Sequence, residues 1–387
     1  MTQDSLKIAD VSERDLNPVR VDFGRRVYCL FGIPVDALSF QETVAELKQA
    51  VARRDRCVWS TPNLNFLTSC LKSSEFRDIL GRSQLSTVDG MPLVILSRML
   101  GIPVPERVPG STVFDRMMSG AAGPMRVFFF GGPEGAAARA CERLPQLSPS
   151  LQSAGSFSPG YGSIESMSRA DILEDINRSG ADLLILALNA KRGHSWISLN
   201  SPHLNVPVIA HLGSVINFVA GTIRRSPEFL QKTGLEWLWR IWEEPYLASR
   251  YARDFVDLAK LLATKAFPLL LLGPLVKLAS SGGAALDVNV TARDGRAVIE
   301  LKGSKSDLDL EGLRKALDQY QDFRGELVVC LREVSYVDPA LLGLLIVARG
   351  GRLEKRLPVR IRSPRRLGAR LLVHLHCADY LMGPPDD

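Results

Sequence analysis

The sequence lacks the residue patterns that mark several common protein classes. Its cysteines form no CxxC pair, and its histidines show no HExxH or related spacing. These absences exclude the usual zinc spacings, so we predict no metal site. Widely separated cysteines also give little support for disulfides, and we expect a reducing compartment. The GxGxxG fingerprint is missing as well, which disfavours an NAD-dependent enzyme, and we predict no cofactor.

Long hydrophobic runs are also scarce. Residues 1–20 are polar and charged, with no signal-peptide pattern. The longest charge-free apolar run, residues 266–276, has eleven residues including two prolines. A spanning helix needs about 20 residues, so we predict a soluble or peripheral protein without a transmembrane segment.

Composition indicates an ordinary globular protein. The 387 residues include 48 basic and 42 acidic side chains, 46% are hydrophobic, and the net charge is +6. This length predicts two or three domains. No dense Lys/Arg stripe with interleaved aromatics is present, so nucleic acid is not an expected partner.

The apolar patterns predict an α/β fold. Short β-rich runs alternate with amphipathic stretches, and the later runs are almost entirely apolar. That alternation is typical of a parallel sheet with helices on both faces. We predict strands at residues 27–30, 57–60, 126–130, 181–188 and 206–212, and helices at 39–53 and 66–82.

Shifts in composition suggest domain boundaries. Residues 222–277 are basic and contain Trp237, Trp239 and Trp242, and small residues follow at 280–285. Beyond this linker, the pattern strand, strand, helix, strand, helix, strand, helix predicts a second compact domain. The predicted division is a flexible N-terminal arm (1–26), an α/β core (27–221), a helical appendage (222–279), a linker (280–285) and a small α/β domain (286–387).

Short polar side chains follow two of the predicted strands. Thr61-Pro62-Asn63 comes after one strand and Asp89-Gly90 after another apolar stretch. Open α/β sheets build their sites at the carboxyl ends of strands, where a carboxylate could take a proton from an attacking hydroxyl. The alternatives are a simple turn for Asp89-Gly90 and a helix cap for Asn65.

A glycine-rich turn and scattered arginines could meet phosphate. Gly131-Gly132 joins an apolar strand to a helix, so backbone N–H groups there could contact a nucleotide diphosphate. Equally, tight turns often need glycine for geometry alone. Guanidinium groups suit diphosphates, although a solvated helical face is their commoner role. The arginines in question include Arg107, Arg225, Arg240 and Arg250.

Taken together and in order, these motifs resemble the WecG/TagA/CpsF glycosyltransferases over about residues 27–260. The motifs are Thr61-Pro62-Asn63, Asp89-Gly90, Arg107-Val108-Pro109-Gly110, Phe130-Gly131-Gly132-Pro133, Arg225-Ser226-Pro227, Gly234-Leu235-Glu236-Trp237-Leu238-Trp239-Arg240 and Glu244-Pro245. The resemblance implies a Rossmann-like domain that moves a sugar, with inversion, from a nucleotide donor, usually UDP-linked, to a lipid-linked sugar at the inner membrane face.

The resemblance also implies roles for individual residues. Asp89 matches the proposed general base, while Thr61, Asn63 and Arg107 match substrate-site positions. In the appendage, Arg225, Arg240 and Arg250 would help close the site and meet the membrane. Lys191 would contact substrate, and Asn189 would join Gly131 and Gly132 at the nucleotide.

Some positions depart from the family pattern. Gly193-His194 stands where the family commonly has Gln-Glu, and Asn217 replaces an aspartate. These departures leave the donor sugar and the level of activity open.

The region from about Leu286 resembles STAS domains, the fold of anti-sigma-factor antagonists. The matching segments are residues 297–303, 327–331 and 334–344. Regulatory members carry a phosphorylatable Ser or Thr after the aspartate, whereas Pro339 follows Asp338 here. We therefore expect a docking or regulatory module, with a protein partner and without the usual phosphoswitch.

The predicted function is a metal-independent inverting glycosyltransferase of surface polysaccharide assembly. It would use a UDP-sugar and a polyprenyl-diphosphate-linked acceptor, as a cytoplasmic protein held at the inner face of the plasma membrane. The alternative is a non-catalytic regulatory protein that binds sugar nucleotides and acts through its STAS-like domain.

Overall fold

The computed structural model describes residues 16, 19–160, 162–227, 229–230, 234–282, 284–303 and 309–383. It contains two compact units, each assembled from segments distant in sequence. The first unit combines Phe40–Trp59 with Gly110–Arg225, and the second combines Arg20–Ser39, Ser60–Pro109 and Ser226–Asp387. This division does not test the domain boundaries expected from the sequence, which remain a prediction.

Strands and helices alternate along most of the described chain. The strands are β1 (Val27–Leu30), β2 (Ile33–Asp36), β3 (Cys57–Ser60), β4 (Leu85–Ser86), β5 (Met125–Gly131), β6 (Leu151–Phe157), β7 (Leu183–Ala187), β8 (Val208–His211), β9 (Asp287–Arg293), β10 (Arg296–Gly303), β11 (Glu326–Val334) and β12 (Val359–Arg362). The helices are α1 (Phe40–Arg53), α2 (Leu64–Lys72), α3 (Ser74–Gly81), α4 (Met91–Met99), α5 (Gly110–Met118), α6 (Ala136–Leu147), α7 (Ala170–Arg178), α8 (Ala190–Asn200), α9 (Val215–Ala220), α10 (Glu236–Glu243), α11 (Ala248–Leu261), α12 (Phe267–Ser280), α13 (Glu311–Tyr320), α14 (Pro339–Glu354) and α15 (Leu367–Leu375).

The first unit is built on a parallel sheet, which confirms the α/β prediction. Its strands run in the order β3-β8-β7-β5-β6. These strands pair in parallel, and every residue of β7 and β8 is buried. Burial on both faces explains their continuous apolar sequences. On one face the rings of Phe130 and Trp196 pack with their centroids 4.6 Å apart.

Helix 66–82 was predicted as one element, but the structure has two helices. The chain breaks at Ser73, whose extended backbone ends α2 and whose hydroxyl accepts the Phe76 N–H at 3.2 Å to cap α3. Serine is a preferred N-cap because its side chain satisfies a free backbone donor. The hydrophobic pattern continues across the break, so the sequence period alone did not reveal it.

The second unit contains a four-stranded mixed sheet. Its order is β12-β11-β10-β9, with β10, β11 and β12 parallel and β9 antiparallel to β10. The predicted order of strands and helices after the linker is confirmed. Asp338 caps α14 by accepting the Leu341 N–H at 2.7 Å, with Pro339 at the first helical position. The likeness of this region to STAS domains remains a prediction.

Strand β1 does not belong to the parallel sheet that the alternating pattern predicted for it. It pairs antiparallel with β2, a strand that the sequence reading missed. The two residues between them, Phe31 and Gly32, have positive φ angles of 48° and 86°. A two-residue turn with positive φ at both positions matches the right-handed twist of the two strands that it joins.

Helix α14 lies against the β1–β2 hairpin through a glycine. A Cβ atom added to Gly343 would lie 2.6 Å from the Val27 carbonyl oxygen and 2.7 Å from Tyr28 Cα. About two turns further along α14, Gly350 lies equally close to the Gly81 backbone of α3. At these two glycines, α14 therefore packs directly against the backbone of β1 and α3, with no side chain between them.

Residues preceding the hairpin also contact the C-terminal region. The Val21 N–H donates to Gln321 Oε1 at 2.9 Å, and Arg314 donates to the carbonyl oxygens of Phe23 and, at 3.1 Å, Arg25. In the predicted flexible arm 1–26, residues 1–15 and 17–18 lie outside the described residues. The described end of that segment is held by hydrogen bonds to α13 and the residue that follows it.

One helical stretch of the second unit is long and apolar. Residues Pro245–Ser280 form 36 continuous helical residues, with an 18-residue window of mean hydropathy 1.6 of which 17% is buried. By length and composition alone it could cross a membrane, although such a single helix is weak evidence. The sequence estimate considered only the charge-free run, whereas the helix continues through a π-turn at Leu262–Ala266 and includes charged residues.

We expect Gly343→Ala to lower the free energy of unfolding by about 1–3 kcal/mol, because the new methyl group collides with backbone atoms that cannot rotate away. Urea denaturation would measure the change. Gly282→Ala is the matched control, since no atom lies within 4 Å of its added Cβ. Equal stabilities for both variants would contradict the close packing of α14 against β1.

Candidate functional site

Two predicted site segments lie side by side at the ends of β3 and β4. The Asp89 N–H donates to the Pro62 carbonyl oxygen at 2.8 Å, and the Thr87 N–H donates to the Ser60 carbonyl oxygen at 3.0 Å. These backbone bonds continue past β3 and β4, and they fix Asp89-Gly90 beside Thr61-Pro62-Asn63. The structure thus places the two motifs together, as the strand-end argument predicted.

A third motif joins them through the backbone. The Val108 N–H donates to the Val88 carbonyl oxygen at 2.8 Å, so the segment that carries Arg107 runs beside the segment that carries Asp89. The Arg107 guanidinium forms an ion pair with Glu236 at 3.4 Å, and both side chains are largely buried. Three short segments and the start of α10 therefore converge here.

Asp89 has the electrostatic character expected of a proton acceptor. Burial raises the pKa of Asp89 from 3.8 to about 7, with opposing effects from Arg107 and Arg240, which lower it, and Glu236, which raises it. Its residue surface is nevertheless partly exposed. The carboxyl group is thus surrounded by protein, and a pKa of about 7 lets it change charge near neutral pH, where a general base is most effective.

The acidic residues around Asp89 were missed as site residues by the sequence reading. Glu236 pairs with Arg107, and Glu244 accepts from Arg240 at 3.4 Å. Both stood inside quoted motifs without an assigned role. The sequence did contain a signal for them, because Glu236 and Glu244 each lie four residues from Arg240 in the Trp-rich segment. Each of the two acids pairs with a predicted phosphate-binding arginine.

Helix α10 is positioned by a glycine contact. Gly234 has a φ of 74°, and a Cβ added there would collide with the side chain of Met91 at the start of α4. Because α4 begins directly after Gly90, this contact brings α10 to the segment that carries Asp89. It explains how Glu236 and Arg240 reach the carboxylate from a distant part of the sequence.

Thr61 and Asn63 lie in the same part of the second unit. Thr61 is buried, and Asn63 Oδ1 accepts the Phe66 N–H at 3.2 Å and so caps α2. The suggestion that Asn65 is the cap is wrong, because α2 begins at Leu64 and Asn63 is its N-cap. Asn65 instead donates to both carboxylate oxygens of Asp254 at 3.3 Å.

The Asp254 contact ties the helical appendage to the site region. Asp254 is buried on α11 and also accepts from the Thr68 hydroxyl at 2.8 Å, so α11 is bound to α2. On the same helix, the guanidinium of Arg250 lies 4.9 Å from the centre of the Tyr251 ring. The sequence prediction did not identify Asp254, which holds α11 against the helix that Asn63 caps.

The two predicted phosphate-contacting glycines, in the first unit, both have structural reasons to be glycine. A Cβ on Gly131, whose φ is 94°, would lie 2.8 Å from the Ala187 carbonyl oxygen. The N–H of Gly132 donates to that same oxygen at 2.8 Å. The turn thus binds the ends of β5 and β7 together, and nucleotide contact at these glycines remains a prediction.

The other predicted binding residues of the first unit lie on or near helix starts. Asn189 caps α8 by accepting the Arg192 N–H at 2.9 Å, and Lys191 is exposed in the first turn. Arg225 forms an ion pair with Asp115 and donates to the Thr112 hydroxyl at 3.0 Å. Arg225 therefore already has protein partners, and the binding roles of these residues remain predictions.

One departure from the family pattern, His194, packs against a second histidine, His211. His194 and His211 are buried with ring centroids 5.2 Å apart, and an added Cβ on Gly193 would collide with the His211 ring. Burial lowers the pKa of both histidines, and His211 lowers that of His194 further. Both rings are therefore neutral near pH 7, and the small residue at position 193 makes room for one of them.

A basic cleft of about 420 Å³ lies in the four-stranded sheet of the second unit. It opens where β10 and β11 end, and its lining includes Lys302, Arg332, Glu333, Ser335, Arg365 and Arg366. Lys302 pairs with Glu333 at 3.2 Å, and both side chains are exposed.

Comparison with known proteins finds glycosyltransferases. Curated relatives include N-acetylglucosaminyldiphosphoundecaprenol N-acetyl-beta-D-mannosaminyltransferases of three bacteria. That of Bacillus spizizenii is 24% identical, over 49% of this chain and 71% of the relative. The Bacillus subtilis enzyme is 24% identical over 51% and 76%, and the Staphylococcus aureus enzyme 22% identical over 59% and 87%.

The model of the glycosyl transferase WecG/TagA/CpsF family matches residues 28–269. That span includes every predicted site residue and extends into α12, whereas the four-stranded sheet of the second unit lies beyond it. On this match, which covers more than half of its length, the chain belongs to the WecG/TagA/CpsF family of glycosyltransferases.

Proposed function

We propose that the protein transfers an N-acetylhexosamine, with inversion, from a UDP-linked donor to a polyprenyl-diphosphate-linked sugar during surface polysaccharide assembly. The observation that carries the proposal is Asp89, a carboxyl group with a pKa of about 7 set among Thr61, Asn63 and Arg107. Its three segments are the ones that the family resemblance implied, and backbone hydrogen bonds bring them together.

Asp89 supplies the base that inverting transfer needs. The acceptor hydroxyl oxygen attacks the anomeric carbon as its proton passes to the Asp89 carboxylate. One C–O bond forms, and the bond from the anomeric carbon to the donor phosphate oxygen breaks. Its electron pair leaves with the nucleoside diphosphate. A positioned base of this kind contributes about 10²–10⁴-fold to the rate.

Arginines offset the charge that develops on the leaving diphosphate. The fields of Arg107 and Arg240 reach the Asp89 carboxyl group, so both guanidinium groups act within the same site. Their planar donors suit phosphate oxygens, and preorganised cations stabilise charge as it develops. This supports transfer without a divalent ion.

The relatives suggest the first substrates to test. Their names specify transfer of N-acetyl-beta-D-mannosamine to N-acetylglucosaminyldiphosphoundecaprenol. UDP-N-acetylmannosamine is therefore the first donor in a panel, and N-acetylglucosamine on undecaprenyl diphosphate the first acceptor. The histidine pair at positions 194 and 211 motivates including other UDP-N-acetylhexosamines.

An apolar face of the appendage would hold the protein at the membrane surface. Phe267, Leu271, Leu275 and Leu278 recur at helical spacing on α12 and are 54–74% exposed. Leu269, between them, is buried. Asp254 and the Lys72–Asp257 ion pair bind α11 to α2. Because the preceding helix is bound to the protein in this way, we propose that α12 lies on the membrane surface and does not cross the bilayer.

Asp89→Asn should lower turnover by about two to four orders of magnitude, because the amide cannot accept the acceptor proton. In the wild type, kcat/KM should rise as the pH increases through about 7, since the carboxyl group must be ionised. Radiolabelled transfer to the lipid-linked acceptor measures both. Near-normal turnover in the variant, with donor bound equally, would remove Asp89 from the mechanism. Donor binding by the wild type without any transfer would instead favour the regulatory alternative.

The same variant should gain stability at alkaline pH. A pKa of about 7 in the folded state exceeds the ordinary value of 3.8, so the folded protein binds this proton more tightly and loses stability as pH rises between these values. Asp89→Asn removes this loss, and we expect its Tm to exceed that of the wild type by about 2–4 °C at pH 8. Below pH 4 the advantage should vanish.

Asp294→Asn serves as the control for that measurement, because Asp294 is exposed in a turn with a positive φ that asparagine also accepts. Its Tm should follow the wild type at every pH. A similar alkaline gain in both variants would contradict a special role for burial at Asp89.

Replacing Leu271 and Leu275 with aspartate should weaken binding to phosphatidylglycerol vesicles about tenfold or more, because two apolar side chains would no longer leave water. The matched control replaces Leu147 and Leu199, which are 45% and 50% exposed, with the same charges. Sedimentation with vesicles measures binding. Equal losses in both variants would indicate a charge effect and contradict anchoring by α12.

A further inference from the structure

A buried ion pair lies beside the strand that leads to Asp89. Asp36, the last residue of β2, is 2% exposed and accepts from Arg25 Nε at 2.9 Å and Arg25 Nη2 at 2.7 Å. The Arg25 side chain is also largely buried. An arginine fork bound to a carboxylate in two places fixes the orientation of both groups.

Both members of this pair form hydrogen bonds to β4 or to the residues just before it. Asp36 Oδ2 also accepts the Ser86 N–H at 2.7 Å, and Arg25 Nη1 donates to the Ser83 carbonyl oxygen at 2.8 Å. In return, the Ser86 hydroxyl donates to the Pro34 carbonyl oxygen at 2.7 Å. Three contacts, two of them charge-assisted, thus hold residues 83–86 from one side.

Asp89 follows Ser86 by three positions, with only Thr87 and Val88 between them. A chain of that length spans at most about 10 Å, so a displacement of Ser86 is transmitted to the carboxylate. On the other side, the segment is held by the Ser60 and Pro62 carbonyl oxygens. The segment that carries Asp89 is therefore held by hydrogen bonds on two sides. Asp36 accepts one of the bonds on the first side.

The C-terminal region supports the same pair. Arg314 of α13 donates to the Arg25 carbonyl oxygen at 3.1 Å, and α14 lies against β1 through Gly343. Tyr380 reaches the turn of the hairpin, donating from its hydroxyl to the Gly32 carbonyl oxygen at 3.0 Å. Contacts from three C-terminal segments thus hold the hairpin that presents Asp36.

We infer that Asp36 is a positioning residue for Asp89, and that Arg314 of the C-terminal region forms part of the support of the catalytic segment. The inference rests on the proposed function of Asp89. Through Arg314, the region beyond the family match then supports the transfer reaction indirectly.

Asp36→Asn tests the inference in the full-length protein. The amide keeps an acceptor but loses the charge that binds both the arginine fork and the Ser86 N–H. We expect kcat to fall about 10–100-fold with little change in the donor KM. The rise of kcat/KM with pH should also move to lower pH, because a displaced Asp89 becomes better hydrated. A residue with only a structural role would lower Tm and leave the pH profile unchanged.

Asp78→Asn is the matched control. Asp78 of α3 also binds an arginine fork, that of Arg349 in α14, at 2.9 and 3.1 Å. That pair links the same C-terminal helix to N-terminal structure without touching β4. We expect a lower Tm for this variant with wild-type kcat and pH profile. Equal kinetic losses in both variants would overturn the inference.

A double variant separates this inference from the proposed function. If Asp36 acts through Asp89, adding Asp36→Asn to Asp89→Asn should lower the residual rate by less than threefold. An undiminished 10–100-fold loss in that background would overturn the inference and leave the role of Asp89 intact. An active Asp89→Asn protein would instead contradict the proposed function.

Arg25→Lys and Arg314→Met cover the case in which Asp36→Asn does not fold. The lysine keeps the charge but cannot bind both Asp36 oxygens and Ser83 together, and the methionine removes the donor to the Arg25 carbonyl. Each should lower kcat and shift the pH profile in the same direction as Asp36→Asn, by a smaller factor. Wild-type profiles in both variants would overturn the inference.

Discussion

The site depends on a few backbone hydrogen bonds that continue beyond the ends of β3 and β4. Through them the Pro62 carbonyl oxygen receives the Asp89 N–H, and the Val88 carbonyl oxygen receives the Val108 N–H. None of these bonds involves a catalytic side chain. They determine where Asp89, Asn63 and Arg107 stand, and a carboxylate held close to arginines by rigid backbone needs no reorganisation when charge develops.

Much of the fold followed from local patterns, because burial on both faces of a parallel sheet leaves a continuous apolar run. Strands 27–30 and 57–60 were predicted with their observed bounds, and the order of elements after the linker was correct. The partner of β1 was not predicted, since the pattern of one strand does not specify which strand it pairs with. Likewise the break at Ser73 was hidden by a hydrophobic period that continues through it.

The site was only partly predictable for a related reason. Asp89, Thr61 and Asn63 follow strands, so their proximity could be inferred from where parallel strands end. Glu236 and Asp36 lie far from Asp89 in sequence, and their placement depends on a glycine at position 234 and on a hairpin that pairs outside the parallel sheet. Such tertiary contacts leave no periodic signal. The close approach of the Ala187 carbonyl oxygen requires glycine at position 131, and nucleotide contact at Gly131 and Gly132 remains a prediction.

The seating of the β1–β2 hairpin against α14 has a consequence for how the protein is made. The hairpin leaves the ribosome early, whereas the glycine-bearing helix that covers it is synthesised about 300 residues later, which takes roughly 15–60 s at ordinary translation rates. During that interval the apolar side of residues 27–36 has no native cover from the C-terminal helix. Completion of the second unit must therefore wait for the end of translation, and a nascent chain released early would present unpaired β-structure to chaperones and proteases.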